Sequence, residues 1–197
     1  MAKIKLTKNE LKKQKDALKR FVRYLPTLLL KKRQLQLVIS QVNSQLAEIQ
    51  SSYDALRREL NSWIAVFGEE VGLEKLLRLE SVPISDGNIA GVDIPVFEGV
   101  DFWAGDYDLA VMPLWIDRGL GVLRDLIALD VEIKTLEEQR RLLEEELRIT
   151  TQRVNLFEKV KIPETRENIR RIRIYLGDEQ TAAVVRGKIA KGKLVRI

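Results

Sequence analysis

The chain has 197 residues, with 34 Lys plus Arg, 29 Asp plus Glu, no His and no Cys. Thiolate nucleophiles, His general bases, disulfides and zinc sites built on Cys or His are therefore excluded. Charged residues at 32 %, with only 5 Pro and 11 Gly, make a composition of long helices, not of a many-stranded sheet.

The charge is segregated. Residues 1–33 carry a net +10 and residues 159–197 a net +7. Residues 79–110 hold seven acids and no Lys or Arg, a net −7. Basic ends point to nucleic acid or another polyanion, with solvated helix faces as the alternative. The N-terminal residues lack the apolar run of a secretory signal, and nothing approaches the ~20 apolar residues of a membrane span. The expectation is a cytoplasmic chain that binds any membrane complex from the side.

In chain order, Thr7-Lys8-Asn9-Glu10 has the form of a capping box and predicts a helix start. One seven-residue series then runs Leu11, Leu18, Leu25, Lys32, Ile39, Leu46, Tyr53, Leu60, Phe67. A second runs Phe21, Leu28, Leu35, Val42, Ile49, Leu56, Trp63. The three-to-four offset is that of a coiled coil, interrupted only by Lys32. This predicts a first long helix over 7–78. Residues 79–110 change character: Pro83, Gly87, Gly91, Pro95, Gly99 and Gly105 punctuate the β-branched and aromatic runs Ile89–Ile94 and Val96–Phe102. A small acidic insert with a short β-hairpin is expected there. It is too small for its own core and must lean on the helix ends or on another protein. The heptads resume with Val122, Leu129, Leu136, Leu143, Thr150, Phe157 beside Leu126, Ile133, Arg140, Leu147, Val154, Lys161. Beyond Pro163, Ile169, Ile172 and Leu176 carry them on. The expectation is a second long helix over 111–176 and a basic tail over 177–197.

The fold class predicted is mainly α: a long antiparallel two-helix coiled coil with a small irregular or β-hairpin insert. If the helices turn back between Arg78 and Val111, facing residues have numbers adding to about 189. That register sets Pro26 and Pro163 at one height, so both helices would bend together. Helices of about 65 residues would each be roughly 100 Å long. A rod is expected, with the basic termini at one tip and the acidic insert at the other.

No GxxxxGK[ST] phosphate loop occurs; Gly187 and Gly192 with Lys188 and Lys193 have the wrong spacing. The carboxylates sit at ion-pair spacing on helix faces, with no pair marked as general acid and base. The residues thus point to no cofactor, no metal and no catalysis by the chain itself. They leave two readings open: a coiled-coil scaffold or nucleic-acid clamp using the basic tip, or a part of a larger machine.

One stretch carries a family resemblance. Arg153-Val154-Asn155-Leu156-Phe157-Glu158-Lys159-Val160-Lys161-Ile162-Pro163 resembles the signature of the D subunit of V-type ATPases and ATP synthases: Arg-Val-Asn, two apolar or small residues, Glu, then Val and Ile-Pro. Thr7–Leu18 and Leu28–Arg33 are similar to that family's first helix. The sequence departs from the family at Gln34, Leu156 and Phe157. The resemblance implies the central rotor shaft of a rotary ATPase. Its basic end would enter the hexamer of catalytic A and B subunits, which do the nucleotide chemistry. Its insert end would meet the central-stalk F subunit and the funnel-shaped subunit on the membrane rotor ring. On that basis Lys8, Lys12, Lys15, Lys19, Arg166, Arg170 and Arg173 are expected to face the hexamer. Phe97, Phe102, Trp103 and Tyr107 are expected at the membrane-side contact, with packing against Trp63, Phe67 and Trp115 as the alternative for them. Direct nucleic-acid binding is not expected under this reading.

Overall fold

A computed structural model of the chain describes residues 4–62, 71–108 and 112–194. The order of elements is α1 (Lys8–Asn61), α2 (Leu73–Leu76), β1 (Leu77–Ser81), β2 (Ile84–Ile89), β3 (Val92–Phe97), β4 (Asp101–Ala104), α3 (Ile116–Asn155), a π-helical turn (Leu156–Lys161) and α4 (Ile162–Leu194). The predicted class holds: two long helical stretches flank a small antiparallel β element. The contacts divide the chain into two compact units, residues 33–148 and residues 1–32 with 149–197.

Helix α1 starts where the capping box placed it, with the Glu10 amide donating to Thr7 Oγ1 at 3.2 Å. The Glu10 carboxylate accepts from Gln14 Nε2 at 2.9 Å, so it supports the next turn. The helix ends well before the expected Arg78. At its end Ser62 donates through both its amide and its hydroxyl to the Glu59 carbonyl, which satisfies one of the last orphan acceptors. Arg78 lies instead in β1. The heptad residues Trp63 and Phe67 fall outside the described residues.

In the unit of residues 33–148, the predicted seam is the core. Leu35, Ile39, Val42 and Leu46 of α1 are buried with Leu136 and Leu143 of α3, flanked by Ile49, Ile133 and Leu147. All belong to the seven-residue series of the two helices. Each fully buried aliphatic side chain contributes about 1.5–3 kcal/mol relative to exposure. An exposed ion pair, Arg118 to Glu59 at 2.6 Å, links the end of α1 to the start of α3. Such a pair adds only about 0–1 kcal/mol.

The insert is larger than one hairpin. β2 pairs with β3 and β1 pairs with β4, both antiparallel. Apart from a shift at Ser81, the paired numbers add to 181 in both sheets, so the four strands form one two-stranded ribbon in a single register. Where the ladder lapses, the Glu98 amide donates to the Pro83 carbonyl at 3.2 Å and Ser81 Oγ donates to Asp101. The reversal is a two-residue turn in which Ala90 (φ 53°) and Gly91 (φ 76°) are both left-handed, the I′ geometry that suits twisted hairpins. Asn88 clamps it, accepting from the Gly91 amide at 3.1 Å and donating to Asp93 at 2.6 Å. The expected strand run Ile89–Ile94 is thus split by its own turn. Pro95 is tolerated inside β3 because each strand of such a ribbon is an edge.

The ribbon lies against the helices. Ile94 is 3 % exposed and sits in the seam cluster, with Ile89, Ala90 and Val92 packed beside it. Gln139 Nε2 donates to the Pro95 carbonyl at 2.6 Å. Nearer the start of α3, Leu76 and Leu77 form a second cluster with Ile116 and Leu120, covered by Phe102, Tyr107, Met112 and Trp115. Gly105 allows this closure: its amide donates to the Leu76 carbonyl, and a Cβ there would stand 2.4 Å from the Lys75 carbonyl oxygen.

In the unit of residues 1–32 and 149–197, Val154, Ile162, Ile169 and Ile172 are buried, along with Thr150, Thr165 and Asn168. The rings of Phe21 and Phe157 meet with centroids 5.1 Å apart. That contact corrects the expected register. Pro26 lies beyond Phe21 in one direction and Pro163 beyond Phe157 in the other. In an antiparallel pair they stand about eleven residues, roughly 16 Å, apart along the axis, not level. The reason is that α1 ends at Asn61 and α3 begins at Ile116, which together shift the pairing. Pro163 has no amide to donate to the Lys159 carbonyl and its ring crowds that carbonyl. The helix widens into the π turn just before it, where the Ile162 amide donates to the Phe157 carbonyl. Thr165 Oγ1 donates to the Lys161 carbonyl at 2.6 Å. The expected tail, 177–197, continues α4 as far as Leu194, with every residue from Gly177 to Lys193 exposed.

Candidate functional site

The basic end carries a built surface. Lys8, Lys12, Lys15 and Lys19 follow a four-three-four spacing, which keeps them on one side of α1, and all four are exposed. Arg166, Arg170 and Arg173 are likewise exposed on α4. An open groove brings five of these seven cations together: Lys15 and Lys19 from α1 with Arg166, Arg170 and Arg173 from α4. Lys8 and Lys12 do not line it. The floor is aliphatic, made by Leu18, Val22, Ile169 and Ile174. Sequence reasoning did not single out these four as site residues. Its available signal was Val22 and Ile174, apolar side chains standing next to heptad positions where a charge is usual.

Arg170 in the groove and Arg171 beside it are restrained. Glu167 accepts from Arg170 Nε and an Arg170 terminal nitrogen, both at 2.8 Å, and from Arg171 Nε at 3.0 Å. These charge-assisted bonds hold its carboxyl at about 2 instead of the usual 4.5. The folded-state value is depressed, so the stabilisation is complete above pH 4.5 and is lost as pH falls from there through about 2. A carboxyl-carbon NMR titration should find Glu167 ionised down to about pH 2; a midpoint in the ordinary Glu range would contradict this pairing. Among the described residues, Lys15, Lys19, Arg166 and Arg173 have no ion-pair partner.

The four aromatics of the insert do not form one patch. Trp103 is 49 % exposed, above a shallow depression lined by Glu74, Arg78, Leu79 and Glu80. Phe102 and Tyr107 are half-buried in the second cluster, beside Trp115. Tyr107 Oη donates to Asp117 at 2.5 Å, and that bond, with desolvation and the Asp117 charge, raises its pKa. Phe97 is half-buried where the ribbon meets Gln45, Glu48, Ile49 and Gln139. Leu114, just before α3, is 97 % exposed and was not anticipated. Among the described residues there is no group of three or more acidic, His or Cys side chains able to hold a metal, and no helix long and apolar enough to cross a membrane.

Comparison with known proteins bears on what this architecture is for. The family model for the ATP synthase D subunit matches residues 10–192. The chain is 49 % identical over 196 residues to the V-type ATP synthase D subunit of Borreliella burgdorferi, covering 100 % of this chain and 97 % of that protein. It is 36 % identical over 195 residues to the subunit of the same name from Chlamydia felis (97 % and 93 % covered). For that of Chlamydia pneumoniae the figure is 34 % over 194 residues, with the same coverage. The class is therefore that of rotary ATPase subunits. Within it, the chain belongs to the family of ATP synthase D subunits.

Proposed function

We propose that the chain is the central-stalk rotor subunit of a V-type ATPase or ATP synthase. It transmits torque between the catalytic A/B hexamer and the ion-translocating rotor ring and performs no nucleotide chemistry itself. Its basic unit engages the hexamer. Its acidic ribbon and the start of α3 engage the central-stalk F subunit and the funnel-shaped subunit on the ring. It acts at the cytoplasmic side, peripheral to the membrane. The observation that carries this reading is family membership over nearly the whole chain, on a seam of interlocked heptads.

The physics suits the role. Interlocked knobs resist relative twisting of two helices better than one helix resists it alone. The hexamer's sites are biased by differing contacts with the shaft, and for binding that coupling is reciprocal. Exposed cations give individually weak contacts, which suits a surface that must exchange partners at each step.

Reconstitution tests it. A complex assembled without this chain should hydrolyse ATP without pumping ions, and adding the chain should restore pumping. Normal pumping in its absence would sink the proposal. Association that survives ordinary salt with ATPase subunits, and no salt-labile binding to nucleic acid, is the accompanying expectation.

A further inference from the structure

The geometry points to the π turn as a joint: it stores one residue that the packing of its unit does not use, and it lets the second helical stretch yield there without changing the face it buries. This goes beyond the proposed function, and only its pumping readout rests on that reading.

The surplus shows in the spacing of the inward-facing residues. On one track Thr150 and Phe157 are seven apart, Phe157 and Thr165 eight, and Thr165 and Ile172 seven. On the other, Val154 and Ile162 are eight apart, and Ile162 and Ile169 seven. Both tracks gain their extra residue across the same stretch, Leu156–Lys161. In a continuous α-helix each residue turns the chain by about 100°, so one extra would swing Ile162, Thr165, Ile169 and Ile172 off the buried side by that angle. The wider π turn takes up the extra residue, and all four stay buried. Helix α1 shows no such correction and runs as α-helix from Lys8 to Asn61. The turn is held loosely. None of its six residues is buried, and Leu156, Glu158, Lys159 and Val160 are exposed. Pro163, just after it, brings no amide to the carbonyls of the turn. Few buried contacts and a missing backbone donor mark a segment that opens locally at low cost. Five residues in place of the six would bury the same side chains in an unbroken seven-residue repeat. The π turn is therefore the less stable of two ways to build one packing, and stability given up at a defined point accompanies movement there.

The test is deletion of Lys159 from the full-length chain, with deletion of Gln152, also exposed, as the control. Loss of Lys159 makes the repeat continuous: Thr150, Phe157, Thr165 and Ile172 become evenly spaced by seven, as do Val154, Ile162 and Ile169. Loss of Gln152 instead puts Asn155 and Glu158 in the places of Val154 and Phe157, whether or not the π turn persists. The chain without Lys159 should melt at or above the wild-type temperature, and the chain without Gln152 below it. Amide exchange over residues 156–166, followed by mass spectrometry, should slow by at least about tenfold without Lys159, because the local opening is closed off. In the reconstituted complex the same deletion should lower ion pumping while ATP hydrolysis is retained. A chain without Lys159 that melts well below wild type, or no higher than the one without Gln152, would overturn the surplus residue. Unchanged exchange would overturn the joint, and wild-type pumping would overturn its use. A complex that pumps normally with the whole chain left out would overturn the proposed function and leave the melting and exchange results to decide the joint.

Discussion

Replacing Ile94 with Ala should destabilise the unit of residues 33–148 by about 2–5 kcal/mol, the usual range for emptying a filled aliphatic site. Ile94 is on the ribbon, yet it is 3 % exposed and shares a cluster with Leu35, Ile39, Val42 and Leu46 of α1 and with Leu136 and Leu143 of α3. Deleting 88–104 should do more, since it strips the turn, β3 and β4 from both apolar clusters at once. Urea unfolding monitored by circular dichroism reads the first effect. Limited proteolysis within the ribbon reads local release. If Ile94→Ala stays within about 0.5 kcal/mol of the parent, as exposed substitutions do, the ribbon is an appendage and the packing described above is wrong.

The heptads were legible because burial repeated them: the side chains buried in the seam are those that recur every seven residues on both helices. The ribbon was only half legible. Leu77-Arg78-Leu79-Glu80 alternates apolar and charged residues, which is strand periodicity, but its Leu, Arg, Glu content also favours helix. Pairing with Asp101–Ala104 decides between them, and that partner is distant in sequence. The turn was hidden for another reason. Ala90 sits at a positive φ where Asn or Asp is usual, and its methyl packs on the seam cluster. Tertiary contact thus replaces the local signal. The proline register failed because α1 ends earlier and α3 begins later than the sequence suggested, which moved every facing pair together. At the basic end, the charges were legible and their floor was not. Counting Lys and Arg locates a cationic face, but it takes folding to set Val22 of α1 beside Ile174 of α4.

Reversing the charge of Lys8, Lys12, Lys15, Lys19, Arg166, Arg170 and Arg173 together should reduce ATP-driven ion pumping by at least about tenfold. The magnitude follows from steering. Clustered charge raises association rates by roughly 10 to 10³, and reversal opposes the partner that the native surface attracts. The expected loss is graded by position. Lys15, Lys19, Arg166 and Arg173 share the groove without acidic partners among the described residues, so their reversal should account for most of it. Lys8 and Lys12 lie outside the groove and should contribute through the field alone. Arg170 differs again: reversing it would leave Glu167 bound by Arg171 only, so part of its effect is local. Pumping and hydrolysis by the reconstituted complex should be measured together. The expected pattern is hydrolysis retained with pumping lost, since under the proposed function the nucleotide chemistry belongs to the partners. Unchanged pumping in the sevenfold variant would remove these side chains from the coupling surface. Loss confined to the Lys8 and Lys12 subset would place that surface nearer the start of α1 than the groove.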